Sequence, residues 1–595
     1  MNELLYPFNS EYILKKKKSL IKELQKQTGL VPKKIAILSG STVGITKDIL
    51  GLFLLNYGFE PTFYQGEYNR FYEDAVFDVQ TLVDFAPDIV YIHTSMRNIL
   101  HFPKITSQVG EDEALAKSEM ERFIDAWDSL KEKVRCPIIQ NSFEPCLTRP
   151  MGNAEAYYNN GTIRYINLIN NMIYKYAREY NDFYVNDLNY QAALYGLERW
   201  FDNSAYYLYK YPFALNAIPL VCYNIANIIK SIFGKNKKSV VVDLDNTLWG
   251  GIIGDDGVEN IKIGNETSIG MAFSDIQKYI KRLMDIGISV SVCSKNDDAN
   301  ARQGFEHPSS ELKVNDFTVF KANWKNKDIN IHEIATEINI IEDSMVYIDD
   351  NPAERALIRE AIKGITVPEL TVPEEYVNII DKSGFFEVTA LSTDDKNRNQ
   401  YYKDNQKRKE NMEQFSDYNA YLRSLEMSSS IVSFNKQNIE RVVQLINKTN
   451  QFNLTTKRMT IDEVNQYISD PDTITLCATL DDRFGSNGIV SCLIASREGD
   501  TMIINLWVMS CRVFKRGLEE AVLDALVKQC KTIGVKKIKG LYFPTKKNKY
   551  VEKLYESLGF EEIDNIEGSS IWEFTQLKNY IDRNEIIIIK VDYNE

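Results

Sequence analysis

Cysteine, long apolar runs and net positive charge are what this chain has little of. Its eight cysteines in 595 residues are scattered. No CxxC pair and no Cys/His ligand spacing occurs, which speaks against a disulfide framework or a zinc site and for a reducing cytosol. The amino terminus, MNELLYPFNSEY, lacks a basic segment followed by an apolar core, so no signal peptide is expected. No apolar run approaches the ~20 residues that span a bilayer, and prenylation and myristoylation patterns are missing. A formal net charge of -13 argues against a general nucleic-acid binder, whose affinity rests on clustered cations. Local basic stretches remain in FKRG (514–517) and TKKNK (545–549). These absences together predict a cytoplasmic protein with neither a membrane nor a nucleic acid as partner.

What is present is ordinary globular material: 44% hydrophobic and 26% charged residues, which excludes wholesale disorder. The length is too great for one core. Residues 1–235 alternate strand-like and helix-like patterns. KKIAILSGST enters a Gly/Ser turn, TKDILGLFLLNYG reads as a helix stopped by Gly58, and PDIVYIHTS and CPIIQNS read as buried strands. That pattern predicts a doubly wound α/β domain. A second α/β unit, 236–380, carries the strands SVVVDLD, GISVSVCS, FTVFKA and SMVYIDD. A charged helical connector at 381–430 leads into a third, α+β domain at 431–580, and 581–595 reads as a tail.

The middle unit holds the chemistry. In SVVVDLDNTLWGG an apolar strand runs into Asp243 and Asp245, which an extended chain would point to one side. Such like charges need neutralising, most simply by a metal ion. Three more elements follow in order: CSKND with Ser294, NWKNKDINI with Lys325 and Lys327, and YIDDNP with Asp349 and Asp350. Three of the four sit at strand ends, where open α/β sheets bind ligands. Each Asp alone could merely cap a turn; four ordered elements make that reading remote.

With DLDNTLWGGIIGDDG, VCSKND, EHPSSELKVNDF, NWKNKDINI and YIDDNPAER, the unit resembles the haloacid dehalogenase superfamily and, within it, the FkbH-like family. The resemblance implies Asp243 as the phosphoryl-accepting nucleophile, chemically sound because an aspartyl phosphate hydrolyses readily. It implies Asp245 as general acid/base, Thr247, Ser294 and Lys327 as phosphate ligands, and Asp243, Asp245, Asp349 and Asp350 around Mg²⁺. The W-x-x-K spacing prefers Lys327 over Lys325. In glyceryl-transferring members a Cys at the place of Cys293 is thought to carry the acyl group. A thiol there needs a lowered pKa, which Lys327 or a protonated His307 would supply; the alternative is an inert buried Cys. His307 is one of four histidines and is either structural or catalytic. GGIIGDDGVENIKIG reads as a short flap, so only a minimal cap is expected.

The flanking domains carry their own resemblances. ILSGSTVG is similar to the nucleophile turn of SGNH hydrolases, with Ser41 at the nucleophile position, Asn141 as oxyanion donor and Asp202 at the start of the Asp-x-x-His block. Ala205 stands where that block needs a His, so the domain is expected to be SGNH-like in fold without being hydrolytic. CRVFKRGLEEAVLDAL and NKYVEKLYESLGFEE resemble GNAT acyltransferases, implying Arg512, Arg516, Gly517 and Asn548 around an acyl-carrier arm; Lys515 replaces the first loop Gly. The alternative is a scaffold domain. The function this implies is removal of phosphate from a phosphorylated three-carbon acyl donor of the 1,3-bisphosphoglycerate type and transfer of its glyceryl group to an acyl carrier protein. Rival readings are a Mg²⁺-dependent phosphatase on a small metabolite and a non-catalytic assembly protein.

Overall fold

The computed structural model describes every residue except 1, 107, 109, 392–396, 546, 567 and 591–595. Part of the connector and the end of the tail therefore lie outside the described residues. The chain divides into two units, Met1–Ile232 and Phe233–Glu595.

The first unit is built on five parallel strands: β1 (Val31–Ser39), β2 (Phe59–Gln65), β3 (Ile89–His93), β4 (Ile138–Asn141) and β5 (Phe183–Asn186). Their order is 2-1-3-4-5, the doubly wound arrangement read from the alternating pattern. β3 is buried at every position, as a strand covered on both faces must be. Gly58 follows the helix Gly44–Asn56 with φ of 76°, a backbone state that costs a glycine little. One stretch, Leu215–Ile232, is long and apolar enough to cross a membrane by length and composition, a run the sequence reading passed over. It is 72% buried within the unit, the mark of a core helix.

The second unit holds two sheets. The first is parallel, with β6 (Ser239–Val242), β7 (Ser289–Ser294), β8 (Val319–Ala322) and β9 (Met345–Ile348) in the order 8-7-6-9. Helices Ser268–Asp285, Lys327–Glu337 and Pro352–Ala361 connect or cover these strands. Between β6 and the helix starting at Ser268 lies only a short loop with a one-turn helix, Ile253–Asp256, pinned by paired amides of Gly250 and Lys262. Among the described residues no cap domain covers the carboxyl ends of these strands.

The second sheet is mixed: β10 (Ser428–Val432), β11 (Phe452–Asn453), β12 (Thr473–Asp482), β13 (Gly485–Glu498), β14 (Thr501–Met509), β15 (Lys537–Tyr542), β16 (Glu561–Ile566), β17 (Ser569–Phe574) and β18 (Ile588–Lys590). β12, β13 and β14 are antiparallel neighbours, and β15 joins β14 in parallel after the helix Leu518–Thr532. β18 pairs with β10, so part of the expected tail belongs to the sheet.

The mixed sheet and the connector are fastened to the amino ends of the parallel strands. Lys238, just before β6, donates to the Lys448 carbonyl at 3.4 Å. Asp343, before β9, pairs with Lys547 at 2.7 Å. Asn399 of the connector helix Arg398–Met412 reaches the Ile288 carbonyl before β7 at 3.2 Å.

Candidate active site

β6 ends at Val242, one residue before the aspartates, so the alternation of an extended strand does not govern them. The chain turns at once: Asn246 has φ of 54°, and Asp243 and Asp245 meet different partners. Asp243 lies beside Lys327, whose Nζ is 3.1 Å from Oδ1, and beside the Ser294 hydroxyl. Asp245 is held at both oxygens. Oδ1 accepts from the Trp249 indole N–H at 2.9 Å and the Ile253 amide at 3.1 Å, and Oδ2 accepts from Asn296 Nδ2 at 3.0 Å.

The fourth element closes the group from β9. Asp349, fully buried, accepts from Lys327 Nζ at 2.6 Å, from the Tyr347 hydroxyl and from the Asn351 amide at 2.8 Å. Asp350 is tied to Thr247, whose hydroxyl accepts its amide at 3.1 Å and donates to its Oδ1 at 3.4 Å. Thr247 therefore faces the fourth element, a placement the phosphate-ligand expectation did not include. Arg355 donates to the carbonyls of Asp349 and Asp350 at 2.8 and 2.6 Å, clamping the turn that presents both carboxylates.

One oxygen each of Asp243, Asp349 and Asp350 lies within 4.8 Å of the others. Asp243 Oδ1 is buried and, among the described residues, accepts no well-aligned hydrogen bond, with the Lys327 ammonium 3.1 Å away. Three convergent carboxylates with no nitrogen or sulfur among them suit a hard divalent cation. Burial pushes the Asp243 carboxyl up, Lys327 pulls it down and Asp349 pushes it up again, leaving it at about 6. Burial works against the Lys327 cation, but Asp243 and Asp349 outweigh it and hold it above the ordinary lysine value. Burial also raises Asp245 and, with Asp349, Asp350. A carboxyl raised by burial keeps its proton to higher pH than a free one, the direction that a proton donor to a leaving group needs.

Lys325 is exposed and paired with Glu333 at 2.9 Å, whereas Lys327 lies inside. Cys293 corrects an expectation. It packs among Val241, Ile331, Met345 and Tyr347, and its Sγ donates to the Lys327 carbonyl at 3.6 Å. Burial pushes the thiol up to about 12, more than Lys327 can offset, so the lowered pKa asked of it is not found. The Nδ1 of His307 accepts the Ser309 amide at 3.1 Å; that bond fixes its own turn and makes no link to the aspartates. Asn296, Trp249, Tyr347 and Arg355 were missed as site residues. All four lie inside or beside the quoted motifs, but a hydrogen bond to an aspartate leaves no spacing signature.

In the first unit, Ser41 Oγ is buried and has no hydrogen-bond partner among the described residues. Asn141 lies deeper, bonded to Tyr91, the Thr94 carbonyl and Asn186. The amide beside the Ser41 turn is instead Asn98, whose Nδ2 donates to the Gly40 carbonyl at 2.7 Å. Asp202 caps its own helix through the Ala205 amide at 2.9 Å. His93 is buried against Tyr91, and burial drives it down to about 3.

Of the four residues expected around an acyl arm, Arg512, Arg516 and Asn548 are engaged within the protein. Arg512 stacks over the Tyr401 ring at 4.2 Å and donates to Ser510 Oγ at 3.1 Å. Arg516 donates to Asp482 at 3.3 Å and Asn405 at 3.0 Å. Gly517 precedes the helix Leu518–Thr532 with φ of 83°. Asn548 is buried, bonding Thr545 and the carbonyls of Asn453 and Phe543.

A family model described as FkbH, N-terminal domain, matches residues 34–230. Among solved structures, the N-terminal part of the protein BF1531 from Bacteroides fragilis, containing a phosphatase domain complexed with Mg, is 30% identical. The match covers 63% of this chain and 99% of that one, with a TM-score of 0.58. The ribosomal-protein-S18-alanine N-acetyltransferase from Escherichia coli is 14% identical over 28% of this chain and 98% of its own, with a TM-score of 0.20. The GNAT domain of S. lividans PAT is 15% identical over 24% of this chain and 89% of its own, with a TM-score of 0.21. No curated protein matches the chain.

Proposed function

The chain belongs to the FkbH-like family, and from that premise we propose that its aspartate cluster is a Mg²⁺-dependent phosphoryl-transfer site. Its substrate would be a phosphorylated three-carbon acyl donor whose glyceryl group passes to an acyl-carrier-protein thiol. The observation that supports this best is the convergence of Asp243, Asp349 and Asp350, with Lys327 at its centre.

Asp243 attacks the phosphorus of the donor's phosphate ester, forming an aspartyl phosphate and breaking the ester P–O bond, so that the acyl phosphate stays intact for the thiol. Asp245, held by Trp249 and Asn296, delivers a proton to the leaving oxygen and takes one from the water that later hydrolyses the intermediate. Ser294 and Lys327 hold phosphoryl oxygens. Asp243, Asp349 and Asp350 would hold Mg²⁺, and the charge supplied there would offset the phosphoryl oxygens and the crowded carboxylates. Without a cap domain the mouth stays open, which suits a substrate delivered on a carrier arm.

The acyl phosphate of such a donor is displaced by a thiol: a thioester forms and phosphate leaves. Cys293, protonated and covered, is badly placed for that attack, so direct transfer to the carrier thiol is the favoured route. The test combines the protein, Mg²⁺, the bisphosphorylated donor and a phosphopantetheinylated carrier, followed by mass spectrometry of both proteins and a phosphate assay. A loaded carrier that persists in Cys293→Ser supports direct transfer, and a Cys293 adduct supports a relay. Phosphate release alone reduces the enzyme to a phosphatase, and no reaction leaves an assembly protein.

A further inference from the structure

The acetyltransferase-like sheet raises the question of what its arginine loop, 511–517, binds. We propose that this loop is a fixed joint, closed to coenzyme A and to a phosphopantetheine phosphate, with Arg408 and Arg516 sharing Asp482 at its centre. A phosphate cradle at a helix start needs free amides, a close backbone approach and unspent cations. The loop lacks the first two, and its Arg516 is already paired.

The amides at the start of the helix Leu518–Thr532 are already engaged. Those of Lys515, Leu518 and Glu519 itself face the Glu519 carboxylate, and Glu520 adds a second acid to the first turn. The Glu519 side chain thus takes up amides that an incoming phosphate would need, and Glu520 adds an acid at the same end of the helix. Lys515, with φ of 61°, puts a side chain where a glycine would let the backbone approach, and its carbonyl accepts the Tyr418 hydroxyl at 2.8 Å.

Two arginines are spent on one buried acid. Arg408, from the connector helix, forks onto Asp482 at 2.7 and 2.8 Å, and Arg516 reaches the same carboxylate at 3.3 Å. Asp482 also accepts the Phe484 amide at 2.9 Å, so it fixes the β12–β13 turn as well. Asn405 receives a hydrogen bond from each arginine, at 2.8 and 3.0 Å. Connector helix, hairpin turn and arginine loop thus meet at one carboxylate. Removing one partner from such a buried set exposes the rest as uncompensated charge.

Two measurements test this on the full chain. Calorimetric titration with coenzyme A, acetyl-coenzyme A and pantetheine 4′-phosphate should give no saturable heat; saturable binding lost in Arg516→Gln would overturn the proposal. In parallel, Arg408→Gln and Arg516→Gln should each speed proteolytic cutting within 397–412, on the order of a hundredfold, while phosphate release per folded molecule is unchanged. If either glutamine variant fails to fold, the corresponding lysine variant keeps the charge without the planar fork and should show a smaller acceleration. Cutting at the parental rate in all four variants would refute the joint.

Discussion

Lys327→Met is the sharpest probe of the aspartate site. It keeps most of the side-chain volume and removes the one cation that lies 3.1 Å from Asp243 and 2.6 Å from Asp349. Both carboxylates are buried, so solvent screening offers little relief, and removing one partner of such a set costs about 3–5 kcal/mol. For a region of this size that corresponds to roughly 10 °C in the melting temperature. The pH dependence has a definite sign. A carboxyl raised in the folded state, as Asp243 is to about 6, stabilises the fold below its unfolded value near 3.8. That contribution, about 3 kcal/mol at 1.36 per unit, is lost as pH rises through 6. Lys327, raised in turn, contributes throughout this window and loses its contribution only above its unfolded value of 10.5. The gap between Lys327→Met and the parent should therefore widen from pH 4 to pH 8, as Asp243 ionises into a site without its cation. Scanning calorimetry of metal-free protein, following the transition that responds to Mg²⁺, measures it. Adding Asp349→Asn to Lys327→Met should recover most of the loss. A gap below about 1 kcal/mol that does not change with pH would refute the buried-cation argument.

Three further outcomes follow from the same geometry. Mg²⁺ at a hundred times its dissociation constant should stabilise that transition by about 2.7 kcal/mol, and Asp349→Asn or Asp350→Asn should abolish the shift seen by calorimetry. Asn296→Ala, which frees one oxygen of Asp245, should lower kcat for phosphate release about 10- to 100-fold and leave the Mg²⁺ shift intact. Cys293, with its thiol near 12, should be ionised to about one part in 10⁴ at pH 8; iodoacetamide followed by peptide mapping should label it only in denaturant, and rapid labelling of the folded protein would contradict its burial.

Much of the frame was legible because it is periodic. Apolar runs ending in Gly, Ser or Asp marked the parallel strands, and three of the four motifs marked carboxyl ends of strands. The choice of Lys327 over Lys325 rested on spacing, and the physical difference shows only in three dimensions: one faces two aspartates, the other faces Glu333 and solvent. The failures share a cause. Asp243 and Asp245 were treated as one extended stretch, but the strand stops at Val242 and the turn separates them. Cys293, Arg512 and Arg516 were judged by residue type and neighbours in sequence, whereas burial under Ile331 and Met345 or a distant carboxylate such as Asp482 decides what they can do. Asn98 was passed over because its tie to Gly40 crosses 58 positions.

The fastening of the mixed-sheet domain and the connector helix to the amino ends of β6, β7 and β9 bears on how this architecture can be re-engineered. The aspartate cluster and the attachment points occupy opposite ends of the same short strands, so one can be rebuilt without trespassing on the other. A chimera that keeps Lys238, Ile288 and Asp343 as mounting points could accept a different carboxyl-terminal module while its hydrolytic machinery went unaltered. Selection could likewise have exchanged docking specificity and chemistry as separate parts.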